Sequence, residues 1–231
     1  MGEPDFPDPD DPDPDDPDDG GPVALRRALY AVILVAVLVV AATVGWLVRG
    51  GSTADTATAS RPSAVDIGFA RDMSTHHQQA VTMANYERDY TSSPQLRILA
   101  YDIETSQNFQ MGEMQGWLDG WGLGRNSPNE MAWMGPGMGL GPTALMPGMA
   151  TPAQLDRLES LHGKALDVLF LQLMIRHHQG GLPMARYAVE HARVPYVRNL
   201  AQAMINSQTA EIIEMEQLLR KLGGAPLPAP S

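Results

Sequence analysis

The chain has 231 residues, no cysteine, 14 methionines, six histidines and a formal charge of −11. That charge is local: residues 1–22 hold ten Asp or Glu and no Lys or Arg, which leaves 17 acidic against 16 basic residues in the remainder. A near-neutral body without a basic stripe gives no support to a nucleic-acid partner. The missing cysteines exclude disulfide staples and thiolate ligands, so the fold must rest on its apolar core.

In chain order, residues 1–24 form an acidic Asp/Pro tail that repels itself, has little apolar surface to bury and is expected to be disordered. Residues 25–49 are predicted as a transmembrane signal anchor. Its uncharged run Ala28–Val48 spans roughly 31 Å as a helix, close to a bilayer core. Arg26 and Arg27 precede the run and Arg49 follows it, which places the N-terminus in the cytoplasm and the rest outside. Cleavage after Ala57-Thr58-Ala59 is the rival, but a signal-peptide apolar region is shorter than this one. Residues 50–63 are small and polar, a composition suited to a tether.

Residues 64–222 are predicted to be all-α. Phe69, Met73, His76 or His77, Ala80, Met83 and Ala84 recur at spacings of three and four, a helix over about 65–88. After the turn at Asp89–Pro94 a second helix presents Leu96, Leu99, Ile103, Met114, Trp117 and Leu118, ending near Trp121-Gly122. A connector rich in Gly, Pro and Met follows over 122–150, with Met131, Met134, Met138, Met146 and Met149; such length suits a functional or disordered loop. Trp117, Trp121 and Trp133 are read as packing residues. Thr151-Pro152 starts a third helix running to about Ala192, with a kink expected at Pro183. The fourth runs from Pro195 to about Leu222, with Leu200, Met204, Ile212, Met215 and Leu219 inward, and Gly223-Gly224 stops it before the 223–231 tail. Two helical hairpins, neither able to bury its apolar stripe alone, pack most simply as an antiparallel four-helix bundle.

The hairpins are copies of each other. Residues 66–118 align without a gap with 167–219, and 18 of those 53 positions are identical. A Met-x-x-His-His-Gln core occurs in both, as Met73, His76, His77, Gln78 and as Met174, His177, His178, Gln179. Folding each hairpin on its turn puts His76 and His77 level with Gln107 and Ser106, and His177 and His178 level with Gln208 and Ser207. Met73 then falls beside Gln110 and Met174 beside Glu211. The expectation is a mid-bundle layer of Met and His, supplied twice.

Thioether and imidazole suit copper, with thioether favouring Cu(I). A di-iron carboxylate centre needs duplicated Glu-x-x-His motifs; neither Glu113 nor Glu214 has His three residues on, and Asp72 and Glu104 are matched by Leu173 and Ile205. The candidate ligands are therefore Met73, His76, His77, Met174, His177 and His178, because adjacent histidines repeated on an apolar face are costly to bury without partners. Met83, Met184, Met114, Met215, Met131 and Met134 form a second tier. Core packing is the better account of Met83, Met184, Met114, Met215 and Met204, whereas the connector methionines, including Met146 and Met149, serve equally to capture Cu(I) or to cover the bundle end. His162 and His191 lack duplicated histidine mates and are expected at the surface. Copper affinity is expected to fall as pH drops through about 6.5, where an ordinary imidazole protonates.

His76–Ala84, Met174–Gly180 and the Glu113–Gly122 segment with its Trp-Leu-x-x-Trp-Gly resemble the domain-of-unknown-function 305 family over about residues 64–222. The resemblance implies a ferritin-like four-helix bundle, secreted or membrane-anchored, linked to copper. It carries over to the six first-tier residues. The chain departs from the pattern in a connector without histidines and in Gly181 and Pro183.

The leading functional reading is a membrane-tethered, extracytoplasmic copper-binding protein that buffers copper or hands it to a protein partner. A non-catalytic accessory subunit of a membrane complex is the alternative. A metal-dependent oxidoreductase comes third, because nothing in the chain supplies a nucleophile, a nucleotide loop or a substrate pocket.

Overall fold

The structure, a computed structural model, describes residues 61–141 and 143–230. These form five helices: α1 (Ala64–Tyr90), α2 (Pro94–Gly120), α3 (Pro152–Glu159), α4 (Gly163–His191) and α5 (Pro195–Lys221). One 3-10 turn, Ala132–Met134, lies in the connector, and there is no strand among the described residues. The acidic tail, the predicted span at 28–48 and the tether up to residue 60 lie outside the described residues. Among those described, no helix is long and apolar enough to cross a membrane.

Short polar side chains set where three of the helices begin. Ser63 caps α1 in a reciprocal box with Asp66, and Thr151 caps α3 in the same way with Gln154. Ser93 caps α2 ahead of Pro94 at the first helical position.

The third predicted helix is two helices. α3 ends at Ser160, His162 is extended, and Gly163 takes a φ of +57° that only glycine adopts readily. Apolar spacing continues on both sides of the break, through Leu155, Leu158 and Leu166, which is why periodicity alone does not reveal it. α4 in turn runs through Pro183, which sits at an exposed position.

α1 packs on α2, α4 packs on α5, and the two hairpins meet through α1 and α4. The core they enclose is divided. One apolar cluster takes Ala80, Met83 and Ala84 from α1, Leu96–Ile103 from α2, Leu166–Ile175 from α4 and Met215–Leu219 from α5. The other takes Phe69–Met73, Met114–Leu118, Met184–Ala188 and Val197–Met204 from the same four helices, together with Met131, Trp133 and Met146 of the connector. Between them the four long helices bury polar side chains, His76 and His77, Gln107, His177 and His178, and Gln208, joined on α2 by Met111.

Buried carboxylates tie each hairpin to the turn of the other. Asp66 of α1 accepts from the backbone N–H of Val194 (2.8 Å) and of Arg193 (3.1 Å), in the α4–α5 turn. Its repeat mate Asp167 of α4 accepts from the Thr91 hydroxyl (2.8 Å), in the α1–α2 turn. Both contacts bridge segments far apart in sequence, so they fix how the hairpins dock. Asp66→Ala strands two backbone donors, one of them fully buried, and should lower unfolding free energy by about 3 kcal/mol in urea denaturation; a loss below about 1 kcal/mol would show that water replaces the carboxylate.

Candidate metal centre

The polar layer brings together four of the six first-tier residues. His76 and His177 stack across the α1–α4 contact with ring centroids 3.8 Å apart, and His177 and His178 lie 6.3 Å apart. All four imidazoles are buried. Met73 and Met174 are fully buried one turn before the histidines, one in each apolar cluster. The two thioethers thus flank the layer from opposite sides.

Each imidazole Nε2 contacts an oxygen. His76 Nε2 meets the Pro147 carbonyl (3.1 Å), His177 Nε2 the His76 carbonyl (3.1 Å), His77 Nε2 the Gln110 side-chain oxygen (2.7 Å) and His178 Nε2 a Glu211 carboxylate oxygen (2.6 Å). Oxygen acceptors of this kind require Nε2–H to donate, which leaves the lone pair on Nδ1. The Nδ1 atoms of His76, His77 and His178 are buried without a hydrogen-bond partner. Residues 110 and 211 are repeat mates, so His77 and His178 are held in equivalent ways. These partners lie four residues from the Ser106 and Ser207 expected from a simple hairpin register, about one helical turn further along.

Burial is the main influence on these rings. It lowers His76 to about 4, with the Pro147 hydrogen bond opposing and the neighbouring His178 assisting. It lowers His77 to about 3, helped by repulsion from His76, and it takes His177 well below its ordinary value, helped by the other three rings. The expected protonation near 6.5 is therefore corrected: in the folded chain these three imidazoles stay neutral, and able to donate a lone pair, well into the acid range.

The connector closes one side of the layer and is held by a single face of α1. Asp72 accepts from the Met131 backbone N–H (2.6 Å) and the Trp133 indole (2.8 Å), His76 holds Pro147, and Gln79 pairs with both backbone groups of Ala150 (3.0 and 2.6 Å). Positions 72, 76 and 79 follow helical spacing. Two glycines allow the close approach: a Cβ on Gly180 would lie 2.0 Å from the Pro147 oxygen, and one on Gly148 2.4 Å from the Arg176 oxygen. At Gly181 a Cβ would stand 3.2 Å from both His76 Cε1 and Gln208 Oε1, so glycine keeps space open before the Nδ1 edge of that ring. The connector is thus an ordered cover rather than a free loop, because Met131, Trp133 and Met146 are buried in the core.

Of the second tier, Met83 and Met215 pack in the cluster that holds Met174. Met114, Met184 and Met131 pack in the cluster that holds Met73, with Met134 partly buried against it. His162 and His191 are exposed. Among the described residues no three His, Asp or Glu side chains form a ready group for one ion, so the imidazoles alone make no cage. What they do offer is three unpartnered Nδ1 atoms, with thioethers on either side. That donor set fits a soft cation and not a hard one.

The contacts made by Asp72, Gln79 and Gln110 and the burial of Glu87 escape sequence reasoning. Glu87 is fully buried, and neither oxygen has a well-formed hydrogen bond. Burial, then the neighbouring Asp167 carboxylate, pushes it up to about 8. The available hint is asymmetry: Asp72, Gln79 and Glu87 are matched in the second copy by Leu173, Gly180 and Ala188.

The family described as Domain of unknown function (DUF305) matches residues 66–219. A DUF305 protein crystallised from Streptomyces coelicolor is 46% identical, covering 71% of this chain and 96% of that one, with a TM-score of 0.66. A DUF305 fragment from Deinococcus radiodurans is 33% identical over 69% of this chain and 98% of that one, TM-score 0.60. CopM in its Cu(I)-bound form is 28% identical over 69% of this chain and 98% of that one, TM-score 0.53. No curated protein matches the chain significantly.

The metal-free protein should show a two-sided pH profile. For His76, His77 and His177 the unfolded value exceeds the folded one, so below about 6.5 the unfolded chain binds more protons and stability falls on acidification towards about 4. Glu87 has the opposite sign: its folded value is raised, so its contribution is lost as pH rises from about 4.5 through about 8. Melting temperature measured from pH 4 to 9 should fall steeply on the acid side and gently on the alkaline side, and Glu87→Gln should remove the alkaline decline. A flat acid limb would mean the histidines are charged in the fold.

Proposed function

The chain belongs to the DUF305 family, and on that footing we propose that it is a copper-binding protein, tethered to the membrane by residues 28–48, that buffers or delivers Cu(I) outside the cytoplasm. The observation that carries this reading is the set of unpartnered Nδ1 atoms on His76, His77 and His178. Three unpartnered Nδ1 atoms in a buried layer, with each Nε2 of these rings already held by an oxygen, is the arrangement that fixes an imidazole's orientation towards a metal. Similarity to CopM, which has Cu(I)-, Cu(II)- and silver-bound forms, supports the same cation class.

Each residue has a separate part. His76, His77, His177 and His178 supply nitrogen, and Met73 and Met174 supply the sulfur that favours a monovalent soft ion over Zn(II). Pro147, Gln110 and Glu211 orient rings. Gly181 leaves room at His76. A copper ion held here is cargo, and the ordered connector with Met131 and Met146 shields it from water. The tether rests on the apolar run and its arginine flanks. If the histidines served only to knit the core of an accessory subunit, the Nδ1 atoms would have no reason to lack partners.

Competition with a chromophoric Cu(I) chelator tests the reading. His76→Ala with His177→Ala should weaken Cu(I) binding at least 100-fold while His162→Ala with His191→Ala changes it less than threefold, and native Cu(I) affinity should exceed that for Zn(II). Equal losses in the two double variants, with circular dichroism showing both folded, would remove the layer as the site.

A further inference from the structure

The outer face of α2 carries a pattern that the single chain does not use. Ile98, Tyr101 and Phe109 are 63, 54 and 69% exposed. With Thr105 they follow one line along the helix, and the line continues through Gly112, Gly116 and Gly120. A Cβ at any of these three glycines would meet nothing within 4 Å. Glycine weakens a helix relative to alanine, and the fold around these positions gives no reason for it.

The duplication supplies an internal control. α5 stands in the second hairpin where α2 stands in the first, yet Ile98, Tyr101 and Phe109 are matched by Asn199, Gln202 and Ala210, and Gly116 and Gly120 by Gln217 and Lys221. The outer face of α5 is polar at Asn199, Gln202, Gln217 and Lys221, while Ala210 and the 53% exposed Ile213 stand where α2 has Phe109 and Gly112. The apolar and glycine pattern is therefore particular to α2 rather than a demand of the bundle.

We infer that this face is a homodimer interface, in which a second copy docks its own α2 antiparallel about a twofold axis at Phe109. Reversing the helix brings Ile98 near the partner copy's glycine 120, Tyr101 near glycine 116 and Thr105 near glycine 112, with Phe109 beside its own equivalent. Large side chains then meet gaps along the whole helix, which is the self-complementarity a twofold contact requires. Asp102 falls opposite the neutral Gln115, so the arrangement pairs no like charges there. Two aromatics and an isoleucine, each more than half exposed, offer on the order of 350 Å² of apolar surface. That is approaching half of the roughly 800 Å² each partner contributes to a standard interface. A seam along all of α2, about 40 Å for its 27 residues, supplies the remainder from the glycines and flanking polar groups.

The absence of cysteine makes the test clean, since a single introduced thiol reports one position. The full chain is treated, in the cells that express it, with a short membrane-permeant bismaleimide. Phe109→Cys should yield at least ten times more cross-linked dimer than Ala210→Cys. In the Phe109→Cys background, Gly116→Leu should cut that yield at least tenfold, and so should Ile98→Asn with Tyr101→Gln, which copies the residues of α5 and keeps the helix polar and soluble. Equal cross-linking at 109 and 210, or a yield unchanged by both disruptions, overturns the interface. Phe109→Cys that fails to cross-link but is shielded from a monofunctional maleimide by phosphatidylcholine vesicles also overturns it, and assigns the face to a bilayer.

Discussion

The structure depends on one constraint: four imidazoles are buried in one layer, away from bulk solvent. A buried polar group without a partner is costly, and a buried charge more so. The chain meets the first demand by giving every Nε2 an oxygen and the second by keeping His76, His77 and His177 neutral through burial and mutual repulsion. It leaves the Nδ1 side unmet on three rings. A fold selected only for stability would fill that layer with apolar side chains, as it does immediately above and below.

Duplication explains the architecture of this layer and also its asymmetry. The paired carboxylates Asp66 and Asp167 dock the hairpins reciprocally, and Gln110 and Glu211 hold the outer rings in matching fashion. Only one connector exists, however, and its side-chain hydrogen bonds go to one hairpin, while against α4 it packs closely at Gly180. α1 has accordingly acquired Asp72 and Gln79 to hold it, while α4 has Leu173 and the close-packed Gly180. The central rings consequently differ: His76 donates to the connector, and His177 donates to the backbone of His76.

Much of this is legible in the sequence, for identifiable reasons. The helices containing Met73 and Met204 are visible because apolar spacing runs through them, and the histidine layer because an ungapped repeat preserves position. The break at Gly163 is hidden because apolar residues continue through it, and only a left-handed backbone angle marks it. The Gln110 and Glu211 partnerships are missed because a hairpin register counted from the turn ignores the stagger between helices. The burial of Met131 and Met146 has no periodic signal at all: it accompanies the contacts of Asp72 and Gln79, whose partners, apart from the Trp133 indole, are backbone groups that leave no trace in side-chain pattern.

The central claim, that neutral imidazoles present Nδ1 lone pairs to a soft cation, is tested most directly by long-range 15N–1H NMR of the histidine rings before and after Cu(I) addition. With only six histidines the spectrum is tractable. Without metal, the rings of His76, His77 and His177 should appear as Nε2–H tautomers and show no titration between pH 7 and 5. On adding Cu(I), the Nδ1 resonances of the layer should move while those of His162 and His191 stay in place. Rings that titrate near 6.5, or Nδ1 signals that ignore Cu(I), would contradict the account.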